Sequence, residues 1–123
     1  MSKKKILVVD DESGFTSLLT MALSRYEVLA ENDALRALDA ALQFQPDLIL
    51  LDVLMPGMDG GDLATKMRAE PALERTPIVF LTAVISPAET GGEAKQIGAY
   101  PFLAKPVDMQ TLIACIEEHS QGS

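Results

Sequence analysis

The sequence predicts an α/β domain: a doubly wound, five-stranded parallel sheet with five helices on both of its faces. Three observations predict it. Apolar runs of strand character alternate strictly with runs of helical period along the 123 residues. The first, third and fourth strand runs are continuously apolar, as strands buried on both faces are. Four runs also end in residues of one polar set. Ile6-Leu7-Val8-Val9 meets Asp10-Asp11, and Leu48-Ile49-Leu50-Leu51 meets Asp52. Ile78-Val79-Phe80-Leu81 meets Thr82, and Phe102-Leu103-Ala104 meets Lys105. In a parallel sheet all four ends fall on one edge, where the ligands of open α/β sheets bind.

Each element follows in order. After the first strand, Phe15, Leu18, Leu19, Ala22, Leu23 and Tyr26 recur on one face of a helix, with Ser13 as the expected N-cap. Val28-Leu29-Ala30 is a short second strand. Asn32 or Asp33 then caps a helix whose Leu35, Leu38, Ala41 and Leu42 share a face, and Pro46-Asp47 ends it. The third strand closes at Asp52. Met55 to Gly61, with Pro56, Gly57, Gly60 and Gly61, is expected to be loop. A third helix runs through Leu63, Ala64 and Met67 and stops before Pro71. Residues 70–77 form a connector, and the fourth strand follows from Ile78. A fourth helix begins near Pro87, weakened by Gly91-Gly92 inside it. Tyr100 to Ala104 is the fifth strand. Asp108 caps a final helix with Met109, Leu112, Ile113 and Ile116 in one stripe. Five strands fit the flavodoxin-like order 2-1-3-4-5, with the crevice between the first and third strands. That places Asp10, Asp11 and Asp52 side by side.

Composition bounds the function. A single domain is expected over residues 1–123, and 48% hydrophobic residues are enough for a core without staples. A net charge of −8 argues against nucleic acid or an anionic membrane as a direct partner, and Lys3-Lys4-Lys5 reads as a solvated tail. The lone Cys115 excludes an internal disulfide, fits a reducing compartment and reads as a small buried hydrophobe. No apolar stretch reaches the ~20 residues of a membrane span, and the charged N-terminus is unlike a signal peptide. The expected location is the cytoplasm.

Three clustered carboxylates repel one another, and a divalent cation relieves the conflict. Mg²⁺ takes octahedral oxygen ligands, commonly one or two carboxylates with waters and phosphate oxygens. A carboxylate beside it can act as a nucleophile toward phosphorus, a reaction that depends on positioning and charge neutralisation. Asp52 stands alone at the centre of the edge and is the natural acceptor. Lys105 supplies a compact positive charge and Thr82 a hydroxyl donor.

Val8-Val9-Asp10-Asp11-Glu12, Leu51-Asp52-Val53-Leu54-Met55-Pro56-Gly57-Met58-Asp59-Gly60, Leu81-Thr82-Ala83 and Phe102-Leu103-Ala104-Lys105-Pro106 resemble the four signature segments of bacterial response-regulator receiver domains. The resemblance runs from Lys5 to about Glu118, in the family's order and spacing. It implies that Asp52 accepts phosphate from a histidine kinase or phosphotransfer protein. Asp11, Asp52 and the Leu54 carbonyl would ligate Mg²⁺, with Asp10 acting through water. It implies that Thr82 moves toward the phosphate and Phe102 changes rotamer, remodelling the face of the fourth helix, fifth strand and fifth helix. Lys105-Pro106 would be a cis peptide. The chain would not be an enzyme in the usual sense, but a phosphoacceptor assisting its own phosphorylation and dephosphorylation. The downstream protein target is unknown, and a phosphorylation-dependent dimer stays open. Leu54 and Val84 flank the approach of water in the family; both are apolar here, which implies slow loss of phosphate.

Pro101 and Gly91-Gly92 depart from the family pattern. The first should make the fifth strand an edge or an irregular strand, and the second should loosen the fourth helix. Three rivals are disfavoured. A flavin module would not place Asp10-Asp11-Glu12 where a phosphate must sit. A phosphatase of the haloacid-dehalogenase type needs a carboxylate at the position of Leu54. A receiver-like interaction module that is never phosphorylated should lack an acidic residue or the lysine, and none is missing.

Overall fold

The computed structural model describes residues 3–55, 58–82, 96–97, 100–104 and 108–119. Its strands are β1 (Lys5–Val9), β2 (Glu27–Glu31), β3 (Leu48–Asp52), β4 (Leu54–Met55), β5 (Met58–Asp59), β6 (Ile78–Thr82), β7 (Gln96–Ile97) and β8 (Tyr100–Ala104). Its helices are α1 (Ser13–Ala22), α2 (Ala34–Phe44), α3 (Gly60–Arg68) and α4 (Met109–His119). The main sheet runs β2-β1-β3-β6-β8-β7. Its first five members are parallel, which is the expected 2-1-3-4-5 order. β7 was not expected. It is two residues long and pairs antiparallel with β8, Gln96 opposite Pro101.

The sheet separates two cores by the period of its strands. Leu7, Val9, Ile49, Leu51, Ile78 and Phe80 point to one side and meet Ala37 and Ala41 of α2 and Leu63, Ala64 and Met67 of α3. Ile6, Val8, Leu48, Leu50, Val79 and Leu81 point to the other and meet Leu19 of α1 and Leu112 and Ile116 of α4. Successive strand residues face opposite sides, so an unbroken apolar run fills both cores at once. Ile6–Val9 and Leu48–Leu51 are wholly buried.

Several local expectations change. Ser13 is the first residue of α1 rather than its cap; Glu12 holds the cap position, and its carbonyl accepts from the Thr16 amide at 3.1 Å, closing the first turn one residue early. The helix turns Phe15, Thr16, Leu19 and Leu23 inward, leaving Ala22 exposed and Leu18 63% exposed. On the inward side Thr16 is 1% exposed and its hydroxyl oxygen accepts from the Asn32 carboxamide at 2.9 Å. Tyr26 lies past the helix, buried, and its hydroxyl hydrogen-bonds the Glu117 carboxylate of α4. Burial first and then that acidic partner push the Tyr26 phenol up to about 12, while the bond from Tyr26 lowers the Glu117 pKa. Asp33, not Asn32, caps α2 by accepting from the Leu35 amide at 2.9 Å. That helix packs through Ala34, Ala37 and Ala41, small side chains that allow close approach, and Leu35 is left 68% exposed.

The expected loop from Met55 to Gly61 contains the antiparallel pair β4–β5, and α3 already begins at Gly60. The 70–77 connector holds a single 3₁₀ turn, Pro71–Leu73, whose Leu73 is fully buried. The Arg68 guanidinium ties it down by donating to the Leu73 and Thr76 carbonyls. Pro101 does not make β8 an edge strand: β8 lies between β6 and the two-residue β7, with Pro101 opposite Gln96. The pairs with β6 run from Phe102 to Ala104, just beyond it, so the missing amide falls outside that register. Cys115 is half-buried on α4, and burial pushes its thiol up to about 11. The helix expected from Pro87, with Gly91-Gly92, lies outside the described residues, as do Val84, Lys105 and Pro106.

Candidate functional site

The carboxyl ends of β1 and β3 are adjacent because Val9 pairs with Leu51. One residue further along each strand, Asp10 and Asp52 come together, and Asp11 follows at the edge. Carboxylate oxygens of all three lie within 4.8 Å of one another. Asp10 is fully buried, Asp52 is 6% exposed and Asp11 is exposed. Among the described residues, the buried polar side chains are Asp10, Thr16 and Asp52, all at this edge of the sheet. None of their buried polar atoms lacks a hydrogen-bond partner.

Each carboxylate has a different backbone. The Asp10 amide continues the β1–β2 ladder, donating to the Glu31 carbonyl at 3.1 Å. Its Oδ1 accepts from the Glu12 amide at 3.0 Å. One oxygen of Asp10 is thus engaged by the backbone, while Asp11 next to it stands toward solvent. Asp52 is the last residue of β3 and is in register with Leu81 of β6. Immediately after it, Val53 donates to the Leu81 carbonyl at 3.1 Å and accepts from the Gly60 amide at 2.9 Å.

Gly60 has a role that its place in a glycine-rich segment did not reveal. A Cβ there would stand 2.5 Å from the Asp52 carbonyl oxygen and 2.8 Å from the Val53 Cα, both backbone atoms. Only glycine lets α3 start this close to the end of β3. Asn32 is a second neighbour of the site, which its place just before α2 does not reveal. Its carboxamide donates to the Asp10 carbonyl at 2.7 Å and to the Thr16 hydroxyl at 2.9 Å.

The remaining expected residues are placed as follows. Thr82 ends β6, opposite Ala104 of β8, at the same edge as Asp52. Leu54 begins β4, two residues beyond Asp52, opposite Asp59. Phe102 lies in β8 in register with Phe80, half-buried against the core shared with α2 and α3. Lys105 would follow Ala104 directly; it and the Lys105-Pro106 peptide lie outside the described residues.

The donor set suits a hard divalent cation. Three carboxylates converge over a span close to the about 4 Å that separates opposite ligands of octahedral Mg²⁺. No helix among the described residues is long and apolar enough to cross a membrane.

Comparison with known proteins agrees with this geometry. The model of the response regulator receiver domain family matches residues 6–117. The chain is 31% identical to sporulation initiation phosphotransferase F of Bacillus subtilis, with 97% of this chain and 95% of that protein covered. It is 39% identical to the response regulator PleD of Caulobacter vibrioides over 89% of its length, but spans only 24% of that longer protein. The crystal structure of the chemotaxis protein CheY4 of Vibrio cholerae superposes with a TM-score of 0.82 at 32% identity, covering 96% of this chain and 99% of that one. A parallel sheet in the order 2-1-3-4-5, three aspartates at its carboxyl edge and a family match over nearly the whole chain lead to one conclusion: the chain belongs to the response-regulator receiver domain family of two-component systems.

Proposed function

We propose that this receiver accepts a phosphoryl group on Asp52, from a histidine kinase or a phosphotransfer protein, with Mg²⁺ as cofactor. The observation that carries this is the convergence of Asp10, Asp11 and Asp52 at the ends of two adjacent strands, with Asp52 nearly buried. An Asp52 carboxylate oxygen attacks phosphorus, an O–P bond forms, and the bond to the donor nitrogen breaks, leaving the electron pair on the donor histidine. As the family resemblance implies, Asp11, Asp52 and the Leu54 carbonyl would hold the cation, with Asp10 acting through water while the Glu12 amide holds its Oδ1. When bound, Mg²⁺ supplies positive charge against which carboxylate and phosphoryl oxygens can approach. Thr82 donates to a phosphoryl oxygen and Lys105 offsets its charge. Asp52 burial limits the access of competing water.

The output is read as a rearrangement at the β6–β8 side. Thr82 and Phe102 are the switch residues, joined by the register that sets Phe80 beside Phe102 and Thr82 beside Ala104. The chain thereby controls an unknown protein target, from the cytoplasm, and a phosphorylation-dependent dimer is one form the output can take. Leu54 and Val84 keep the phosphorylated form long-lived, since neither side chain can orient a water.

Treatment with acetyl phosphate and Mg²⁺, followed by mass spectrometry, tests the reading. One adduct should form, and Asp52→Ala should abolish it. Undiminished labelling of Asp52→Ala would move the acceptor elsewhere. No labelling of the unaltered chain would leave a receiver-like interaction module.

A further inference from the structure

The segment bearing Asp10 and Asp11 is held by more than its own strand. Asn32 sits just past β2, and its Nδ2 carries two hydrogens. One goes to the Asp10 carbonyl at 2.7 Å and the other to Thr16 Oγ1 at 2.9 Å. The identity of the donor atom is fixed by chemistry, because a carbonyl oxygen can only accept. Thr16 is 1% exposed, and its own hydroxyl hydrogen goes to the Ser13 carbonyl at 3.1 Å. The Thr16 oxygen therefore acts as donor and acceptor at once, with both directions assigned.

The Asp10 carbonyl and the Asp11 amide belong to one rigid peptide plane. A hydrogen bond on that carbonyl sets the plane's rotation, and so the direction in which the Asp11 side chain leaves the backbone. The Thr16 bond ties the same carboxamide to the first turn of α1. Asn32 thus spans both ends of the segment 10–16 from outside it. The turn before α2 does not need this side chain, because Asp33 caps that helix by itself.

We propose that Asn32 is a positioning residue for the carboxylate pair Asp10–Asp11, and thereby tunes the affinity of the site for a divalent cation. The proposal rests on reading the acidic cluster as a Mg²⁺ site. Groups that orient metal ligands from behind typically change affinity by about tenfold or more when removed. The carboxamide is needed rather than its shape: an aspartate at this position has the same outline, offers no hydrogen and faces a carbonyl oxygen.

Two measurements on the full chain decide it. Mg²⁺ titration by calorimetry should give a Kd about tenfold weaker in Asn32→Ala and Asn32→Asp, and in Thr16→Val a smaller change, since the bond to Asp10 survives there. Labelling by acetyl phosphate should slow at low Mg²⁺ and recover at saturating Mg²⁺, separating positioning from loss of the acceptor. Amide hydrogen exchange without Mg²⁺ should quicken at Asp10 and Glu12, whose amides are bonded to Glu31 and to the Asp10 carboxylate, while β3 and β6 keep their protection. An unchanged Kd, or unchanged exchange at Asp10 and Glu12, would overturn the proposal, as would a general loss of protection with Kd unaltered. Should Asn32→Ala fold poorly, Asn32→Ser repeats both measurements. Failure of the unaltered chain to bind Mg²⁺ would count against the metal reading alone, and the exchange data would still decide whether Asn32 orders the segment.

Discussion

Helices α1 and α2 start at the same edge of the sheet, yet they are anchored in opposite ways. α2 is held locally: Asp33 caps its first turn, and at its far end Gln45 takes a left-handed conformation and donates to the Ala41 carbonyl at 2.9 Å. α1 opens with no side-chain cap on its first turn, and the Glu12 amide just before it is held by the Asp10 carboxylate of the site. Beyond its other end, Tyr26 reaches across to Glu117 on α4. Near its start, Asn32 holds Thr16. The contrast shows where local stability yields to function. An aspartate given to a helix cap stabilises that helix, whereas Asp10 and Asp11 are placed for each other's neighbourhood and need distant residues to hold their segment.

The largest break in this pattern should come at the third helix start on the edge. Gly60→Ala places a methyl carbon against the backbone of Asp52 and Val53, neither of which is a flexible side-chain end. Overpacking of this kind costs about 1–3 kcal/mol. Chemical denaturation should show a loss near the top of that range, together with impaired labelling of Asp52. A neutral result would mean that α3 can shift without disturbing Asp52.

Next, the two aspartates should separate by role. Asp33→Ala should lower stability by about 1 kcal/mol, and Mg²⁺-dependent labelling should be unchanged. Asp10→Asn keeps an oxygen for the Glu12 amide but removes a charge from the cluster. Without Mg²⁺ its melting temperature should rise or hold, while its labelling falls. Equal loss of stability in both variants would erase the distinction between a cap and a site carboxylate.

Alkaline titration sharpens the view of the α1 end. The Tyr26 phenol is raised from 10.0 to about 12 and the Cys115 thiol from 9.0 to about 11, each by burial first. In this range the folded state holds protons that the unfolded chain has released, so stability must fall as pH rises. The fall should begin near pH 9 and extend to about pH 12. Tyr26→Phe should remove the part between about 10 and 12, leaving the Cys115 part in place. A pH profile identical to that of the unaltered chain would show that Tyr26 titrates as it does in water. At the acid end Glu117 works in reverse: its lowered pKa stabilises the fold above the ordinary carboxylate range, and that contribution is lost as pH falls through the folded value.

The smallest effect is expected where α2 ends. Gln45 has φ of 56°, a conformation that suits glycine better than any residue with a Cβ. Gln45→Gly should relieve strain of about 1 kcal/mol, partly offset by loss of its side-chain bond to the Leu42 carbonyl and by a looser unfolded chain. A net gain below about 1 kcal/mol in denaturant titration is expected. A clear loss would mean that the glutamine side chain holds this helix end.

Residues 6–9 and 48–51 announce buried central strands because an apolar run without alternation can be satisfied only by cores on both faces. Strict alternation of strand and helix then leaves a parallel sheet as the economical arrangement, and the polar residues that end the runs mark its working edge. The Asp33 cap was legible too, though only as one of two adjacent choices, because a cap is a bond between near neighbours in sequence. What sequence could not decide depends on contacts between distant residues. Ser13 looks like the cap of α1, yet the Glu12 carbonyl already accepts from the Thr16 amide, so the helix starts one residue earlier. Leu18 fits the apolar stripe, yet α1 packs through Phe15, Leu19 and Leu23, with Thr16 turned in to meet Asn32 and Leu18 facing out. Gly60 reads as loop until the Asp52 backbone is seen 2.5 Å from where its Cβ would be. Local chemistry sets which residues end the strands; only the packed sheet, by bringing residues 10, 16, 32, 52 and 60 together, sets how those ends are aimed.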